Sequence, residues 1–197
     1  VINCTAEIKP SVDTIAFSEK GIFVPGGAGI FCSTDNGLTW ALLNNSPKNA
    51  YAVSDSPSEQ NILYASNETG VYKSYNYGQS WTLVNRLYLD SIAVDPQNSS
   101  IIAGCGPYWT WYEYRPVISY NGGNTFYPLS IFSENYMLSS SYVYFQESSG
   151  RVLLIFTSDQ GLYISENFGL TWLNCSYNLP STVINSFFAS SNGTCYV

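Results

Sequence analysis

The densest chemistry in the sequence lies between residues 108 and 115, where Tyr108, Trp109, Trp111, Tyr112 and Tyr114 are interleaved with Glu113 and Arg115. Indole and phenol rings at that density can stack on sugar rings or anchor a protein partner, and the adjacent acid and guanidinium can fix orientation. The same residues could instead close on one another as a small core. Carboxylates invite a second reading. Glycoside hydrolysis needs two of them facing each other, about 5–5.5 Å apart for retention or 6.5–9.5 Å for inversion. Glu68, Glu113 and Asp159 are the candidates, because each falls between a predicted second and third strand. Their spacing singles out no pair, and solvated loop acids are the plainer account.

Other chemistries find no support. The chain has no histidine, and its five cysteines (Cys4, Cys32, Cys105, Cys175, Cys195) show no C-x-x-C spacing, so no metal site is expected. Gly26-Gly27-Ala28-Gly29 lacks the lysine of a phosphate-cradling loop, no nucleophile elbow occurs, and no cofactor is implied. Asp35-Asn36-Gly37 lacks the further oxygens of a calcium loop and reads as a turn. With seven basic and fourteen acidic residues the net charge is −7, which argues against nucleic acid and against an anionic membrane surface. The longest plain apolar run, residues 152–156, is far short of the ~18 residues of a spanning helix, so no membrane insertion is expected.

What positions these residues is a repeat. Ser33-Thr34-Asp35-Asn36-Gly37-Leu38-Thr39-Trp40 returns as Ser74-Tyr75-Asn76-Tyr77-Gly78-Gln79-Ser80-Trp81, as Ser119-Tyr120-Asn121-Gly122-Gly123-Asn124-Thr125-Phe126 and as Ser165-Glu166-Asn167-Phe168-Gly169-Leu170-Thr171-Trp172. The first serines recur at intervals of 41, 45 and 46 residues. Such a period signals repeated four-stranded units, the blades of a propeller. In each copy a serine ends a strand, a small polar side chain can bond turn backbone, and the glycine can take positive φ. The chain then returns into a strand whose aromatic covers the seam between sheets; losing it costs about 3–5 kcal/mol where it is fully buried.

Alternating and β-branched stretches separated by Ser, Asn, Gly and Pro place blades at residues 12–44, 50–85, 90–130 and 141–175, with a partial fifth at 182–197. In one all-β domain of 197 residues, roughly 70% of the unfolded surface can be buried. Residues 107–116 read as a loop inserted between the second and third strands of the third blade. Either residues 1–8 close a small ring, or the chain is part of a larger propeller, the reading preferred here.

The pattern S-x-[DN]-x-G-x-[ST]-[WF] resembles the Asp-box, or BNR, repeat of sortilin-type receptors, xyloglucan-cleaving glycoside hydrolases and sialidases. The resemblance implies a β-propeller whose boxes are structural turns on the face away from the ligand, with the second-to-third strand loops on the ligand face. Three copies carry Asn where the family name promises Asp, so the box carboxylates are not expected to act as a set. A sialidase would hold a substrate carboxylate with three arginines, the first in an R-[IL]-P motif before the first box. Here Arg86, Arg115 and Arg151 all follow the second box and Tyr114-Arg115-Pro116 is not that motif, so a sialidase is not expected.

Six N-x-[ST] sequons, at Asn3, Asn44, Asn67, Asn98, Asn174 and Asn192, point to a secreted glycoprotein with extracellular or cell-surface location. On propeller geometry Asn44, Asn67 and Asn174 belong to the ligand face, and Asn98 and Asn192 to the box face. Cys4–Cys195 is the preferred disulfide, with unpaired buried thiols the alternative. The expected function is non-catalytic: binding, adhesion or extracellular assembly through a glycan, a protein ligand or copies of the chain itself. The rival is a glycoside hydrolase of the xyloglucan-cleaving type.

Overall fold

Short runs of β-branched and aromatic residues, bounded by turn-forming Gly, Asn and Asp, pair with their immediate neighbours in sequence, four at a time. The computed structural model describes residues 15–108, 113–131, 141–148, 151–177, 179, 181–184, 188–189 and 195–196. The first sheet holds β1 (Ala16–Ser18), β2 (Gly21–Gly26), β3 (Gly29–Ser33) and β4 (Ala41–Leu42). The second holds β5 (Ala52–Asp55), β6 (Leu63–Asn67), β7 (Gly70–Ser74) and β8 (Thr82–Asn85). The third holds β9 (Ser91–Asp95), β10 (Asn98–Tyr108), β11 (Glu113–Ser119) and β12 (Tyr127–Pro128). The fourth holds β13 (Ser141–Ser148), β14 (Arg151–Ser158), β15 (Gly161–Ser165) and β16 (Leu173–Asn174).

Each sheet is an antiparallel meander in chain order. The all-β class and the four-stranded, blade-like unit therefore stand. Of the fifth unit, a two-stranded pairing of β17 (Phe188–Ala189) with β18 (Cys195–Tyr196) is described. No helix among the described residues is long and apolar enough to cross a membrane.

The sheets stack in sequence order, with β1 beside β5, β5 beside β9 and β9 beside β13. Three apolar clusters fill the seams. Ala16, Phe23 and Ile30 of the first sheet meet Val53, Leu63 and Ala65 of the second. Ala52, Tyr64 and Val71 on the second sheet's other side meet Ile92, Ile102 and Val117 of the third. Ala103 and Ile118 meet Val143, Leu154 and Phe156 across the last seam. Burying each large aliphatic among these contributes about 1.5–3 kcal/mol.

A meander puts its connections on two edges. The β1–β2 and β3–β4 connections, and their counterparts, share one edge, here the corner edge; the β2–β3 connections and those between sheets share the other, the loop edge.

The reading of residues 107–116 as an inserted loop needs correction. The sister hairpins close at Gly26↔Gly29, Asn67↔Gly70 and Ser158↔Gly161. The matching rung in the third sheet, Gly106↔Arg115, is followed by two more, Pro107↔Tyr114 and Tyr108↔Glu113. Aromatic residues favour extended backbone, so the ladder continues and the added length becomes a longer hairpin at the loop edge.

Candidate functional site

On the corner edge the four repeats share one hydrogen-bond scheme. The serine hydroxyl accepts from the glycine N–H two residues past the Asp or Asn, at 2.7 Å for Ser33, 2.8 Å for Ser74, 2.9 Å for Ser119 and 2.7 Å for Ser165. It donates to Asp35, Asn76, Asn121 or Asn167. That side-chain oxygen in turn accepts the backbone N–H of Thr39, Ser80, Thr125 or Thr171 at 2.8–2.9 Å. Gly37, Gly78, Gly123 and Gly169 all have φ of +81° to +86°. The residue before each glycine is left-handed as well, including Tyr77 and Phe168 at +56°. The sequence signalled the first left-handed position and not the second.

One contact separates Asp from Asn. The Thr39 hydroxyl donates to Asp35, whereas the amides of Asn76, Asn121 and Asn167 donate to Ser80, Thr125 and Thr171. Hydrogen bonds from Thr39 and Ser33 hold the Asp35 carboxyl at a pKa of about 2. With the serine hydroxyl and the Asp or Asn side chain of each corner spent on the turn, the corners act as brackets. Trp40, Trp81, Phe126 and Trp172 are half-buried, so truncating any one of them should cost less than the full-burial figure above.

The loop edge is different. Asp90 N–H donates to the Cys105 carbonyl at 2.8 Å and Tyr51 N–H to the Ser66 carbonyl at 2.9 Å, pinning the connections between sheets onto the ends of β10 and β6. Two glycines on β10 permit this approach. A Cβ at Gly104 would lie 2.4 Å from Leu89 Cδ1, and one at Gly106 would lie 2.4 Å from the Tyr88 carbonyl oxygen.

The result is a tilted Tyr51–Tyr88 pair, with centroids 5.3 Å apart and planes at 44°. Burial pushes the Tyr88 phenol far above its ordinary range, and hydrogen bonding to Asp90 and Tyr51 pushes it further. Both effects favour the neutral phenol. All three residues are half-buried. Such a cluster can stack on an apolar ring face and accept hydrogen bonds from hydroxyls. Sequence reading missed Tyr51, Tyr88 and Asp90; the available signal was Gly104-Cys105-Gly106, two glycines one residue apart in a strand.

The expected site residues fall as follows. Tyr108, Glu113, Tyr114 and Arg115 occupy the extra rungs and the one beneath them. Trp109, Trp111 and Tyr112 lie outside the described residues. Glu68 is exposed in the β6–β7 turn and Asp159 half-buried in the β14–β15 turn. Glu68, Glu113 and Asp159 thus belong to the second, third and fourth sheets. Asn44, Asn98 and Asn174 are exposed, whereas Asn67 is buried. Asn3, Asn192 and Cys4 lie outside the described residues, as does the Cys4–Cys195 bridge; Cys32 is a free, half-buried thiol.

Among the described residues no group of three or more His, Cys, Asp and Glu side chains gathers into a metal site. A pocket of about 250 Å³ between the second and third sheets is lined by Asn85, Leu87, Val117, Asn124, Thr125, Phe126 and Pro128. None of these described lining residues ionises.

No family model matches the sequence, and no curated protein matches it. Solved structures do resemble the fold. An ancestral GH74 enzyme superposes with a TM-score of 0.70 at 22% identity, covering 93% of this chain and 26% of that one. The GH74 enzyme of Niastella koreensis gives 0.69 at 19%, covering 92% and 32%. The extracellular domain of a hybrid two-component system from B. thetaiotaomicron gives 0.63 at 13%, covering 94% and 25%. The chain thus spans a quarter to a third of the length of these proteins, and what it shares with them is an all-β fold of blade-like four-stranded sheets.

Proposed function

We propose that the chain is a section of an Asp-box propeller in an exported protein, and that its loop edge binds a carbohydrate without cleaving it. The carrying observation is the Tyr51–Tyr88 pair with Asp90, set on the same edge as the lengthened β10–β11 hairpin. Sugars are bound by aromatic faces flanked by neutral or singly charged hydrogen-bonding groups, and this edge supplies both. The net charge of −7 makes a polyanionic ligand unfavourable. Export accords with the sequons and with the extracellular two-component domain among the structural neighbours.

The hydrolase reading draws on the GH74 enzymes among those neighbours. It requires two carboxyls facing each other across a groove; the candidate acids lie on three sheets, and Asp90 is hydrogen-bonded to Tyr88. Calorimetric titration with xyloglucan oligosaccharides, run beside a reducing-sugar assay, separates the readings. Binding should weaken at least about tenfold in Tyr88→Ala, the loss expected for one stacked ring with its hydroxyl contacts. No reducing ends should accumulate. Release of reducing ends that Glu113→Gln abolishes would establish the hydrolase instead, and unchanged affinity in Tyr88→Ala would remove the site.

A further inference from the structure

Resting on the reading of this chain as exported, we propose that Asn67 is a silent sequon. N-glycans at Asn44, Asn98 and Asn174 then leave the loop edge of the second and third sheets bare, and that bare sector is where Tyr51, Tyr88 and Asp90 lie.

The chemistry sets the requirement. In N-glycosylation the asparagine Nδ2 attacks the anomeric carbon of a lipid-linked oligosaccharide. A C–N bond forms, the bond to the lipid diphosphate breaks, and Nδ2 gives up one proton. Nδ2 must therefore reach solvent, and the folded protein must have room for the sugar that remains.

Asn67 meets neither condition. It is 6% exposed. Its Nδ2 donates to the Lys48 carbonyl at 2.9 Å, while its Oδ1 accepts from Thr69 N–H at 2.8 Å and Gly70 N–H at 3.2 Å. Four backbone segments would have to part for a sugar to leave this site: the β6 end, the turn, the start of β7 and the connection at Lys48. A chain modified there before folding could not complete its second sheet.

The exposed sequons are built differently. Asn98 accepts one hydrogen bond from Ser100 N–H, and among the described residues its Nδ2 makes none. Asn174 accepts from Ser176 N–H, and its Nδ2 makes a single long contact, 3.4 Å, to the Tyr163 hydroxyl. By strand direction Asn98 stands on the corner edge. Asn44 and Asn174 stand on the loop edge of the first and fourth sheets, to either side of the tyrosine pair.

The test uses the full chain secreted from a eukaryotic host, deglycosylated with peptide N-glycosidase in ¹⁸O water and mapped by mass spectrometry. Labelled aspartate should appear at positions 44, 98 and 174, with position 67 at background. Asn98→Gln should lower the intact mass by one glycan and leave secretion unchanged. Asn67→Gln should leave the glycan mass unchanged and lower secretion several-fold, because the turn loses its bracket. Label at position 67 equal to that at 98, or one glycan lost in Asn67→Gln, overturns the proposal. A secreted chain with no glycan at any sequon would refute the exported-glycoprotein reading itself, and the proposal with it.

Discussion

The corner at residues 33–40 and the corner at residues 165–172 share the hydrogen bonds from glycine N–H to serine and from threonine N–H to Asp35 or Asn167, at nearly the same lengths, around a glycine at the same φ of +86°. What lies against them differs. A Cβ at Gly169 would come within 2.7 Å of both methyl carbons of Leu129 in the preceding sheet, and one at Gly78 within 2.6 Å of Leu43. At Gly37 the nearest atom is in Trp40 of the same corner, 3.8 Å away.

The sheet faces repeat the contrast. In register, Ile22 and Val24 of the first sheet correspond to Leu63 and Ala65 of the second, which are fully buried against the first. On the first sheet's own outward face Phe17 is 66% exposed and Ile15 51%. Trp81, Phe126 and Trp172 join apolar clusters across seams, and Trp40 belongs to none of the described ones. The octapeptide is thus a local code for a turn. How much the turn matters to stability is set by the neighbouring sheet, which the octapeptide does not encode.

Paired substitutions of the corner glycines should give the largest effect. Gly169→Ala combines a left-handed alanine, about 1–2 kcal/mol, with overpacking against Leu129, about 1–3 kcal/mol, for a loss of about 3 kcal/mol in urea unfolding. Gly37→Ala carries the backbone term alone and should cost about 1–2 kcal/mol. Equal losses at the two sites would show that the seam does not bear on the corner.

A smaller effect of opposite sign is expected where the two faces carry different residues at one position. Phe17 sits opposite Ile22 and is open to solvent; its counterpart Asp55 sits opposite Leu63 and is half-buried. Burial raises the Asp55 carboxyl to about 6. A carboxyl raised above its unfolded value lends stability below about pH 4 and loses it as pH rises through 6. Asp55→Asn should therefore stabilise the protein at pH 7 by about 1–2 kcal/mol after allowance for solvent screening, with little effect at pH 4. Melting curves across that range check it, and a variant no more stable than wild type at pH 7 would mean that Asp55 is solvated.

Legibility divides along the same line. The corners could be read because their information is local: Ser, Asp or Asn, Gly and Trp at fixed offsets specify a turn whatever surrounds it. The four-stranded unit followed from the period. The tyrosine cluster could not be read, since Tyr51 and Tyr88 lie 37 residues apart in different connections and meet only because Gly104 and Gly106 let one connection lie on β10. The extra rungs were hidden for another reason. An aromatic-rich run fits a hairpin as well as a loop, and pairing partners rather than composition decide between them.

The smallest effect concerns the one corner that keeps its carboxylate. Asp35 is held at about 2 by hydrogen bonds from Thr39 and Ser33. A depressed carboxyl contributes stability that is present above its unfolded value, near pH 4, and fades as pH falls through 2. The three Asn corners make the equivalent contacts without a titrating group, donating through their amides. Asp35→Asn should accordingly be nearly silent at pH 7, because the Thr39 hydroxyl need only turn from donor to acceptor, as Thr125 and Thr171 already do. Between pH 4 and pH 2 the wild type should lose melting temperature that the variant retains. This window lies below the one in which Asp55 titrates, so a single acid series separates the uncovered corner from the covered face. A wild type and variant that fall in parallel below pH 4 would mean that the Asp35 hydrogen bonds do not contribute to stability in solution.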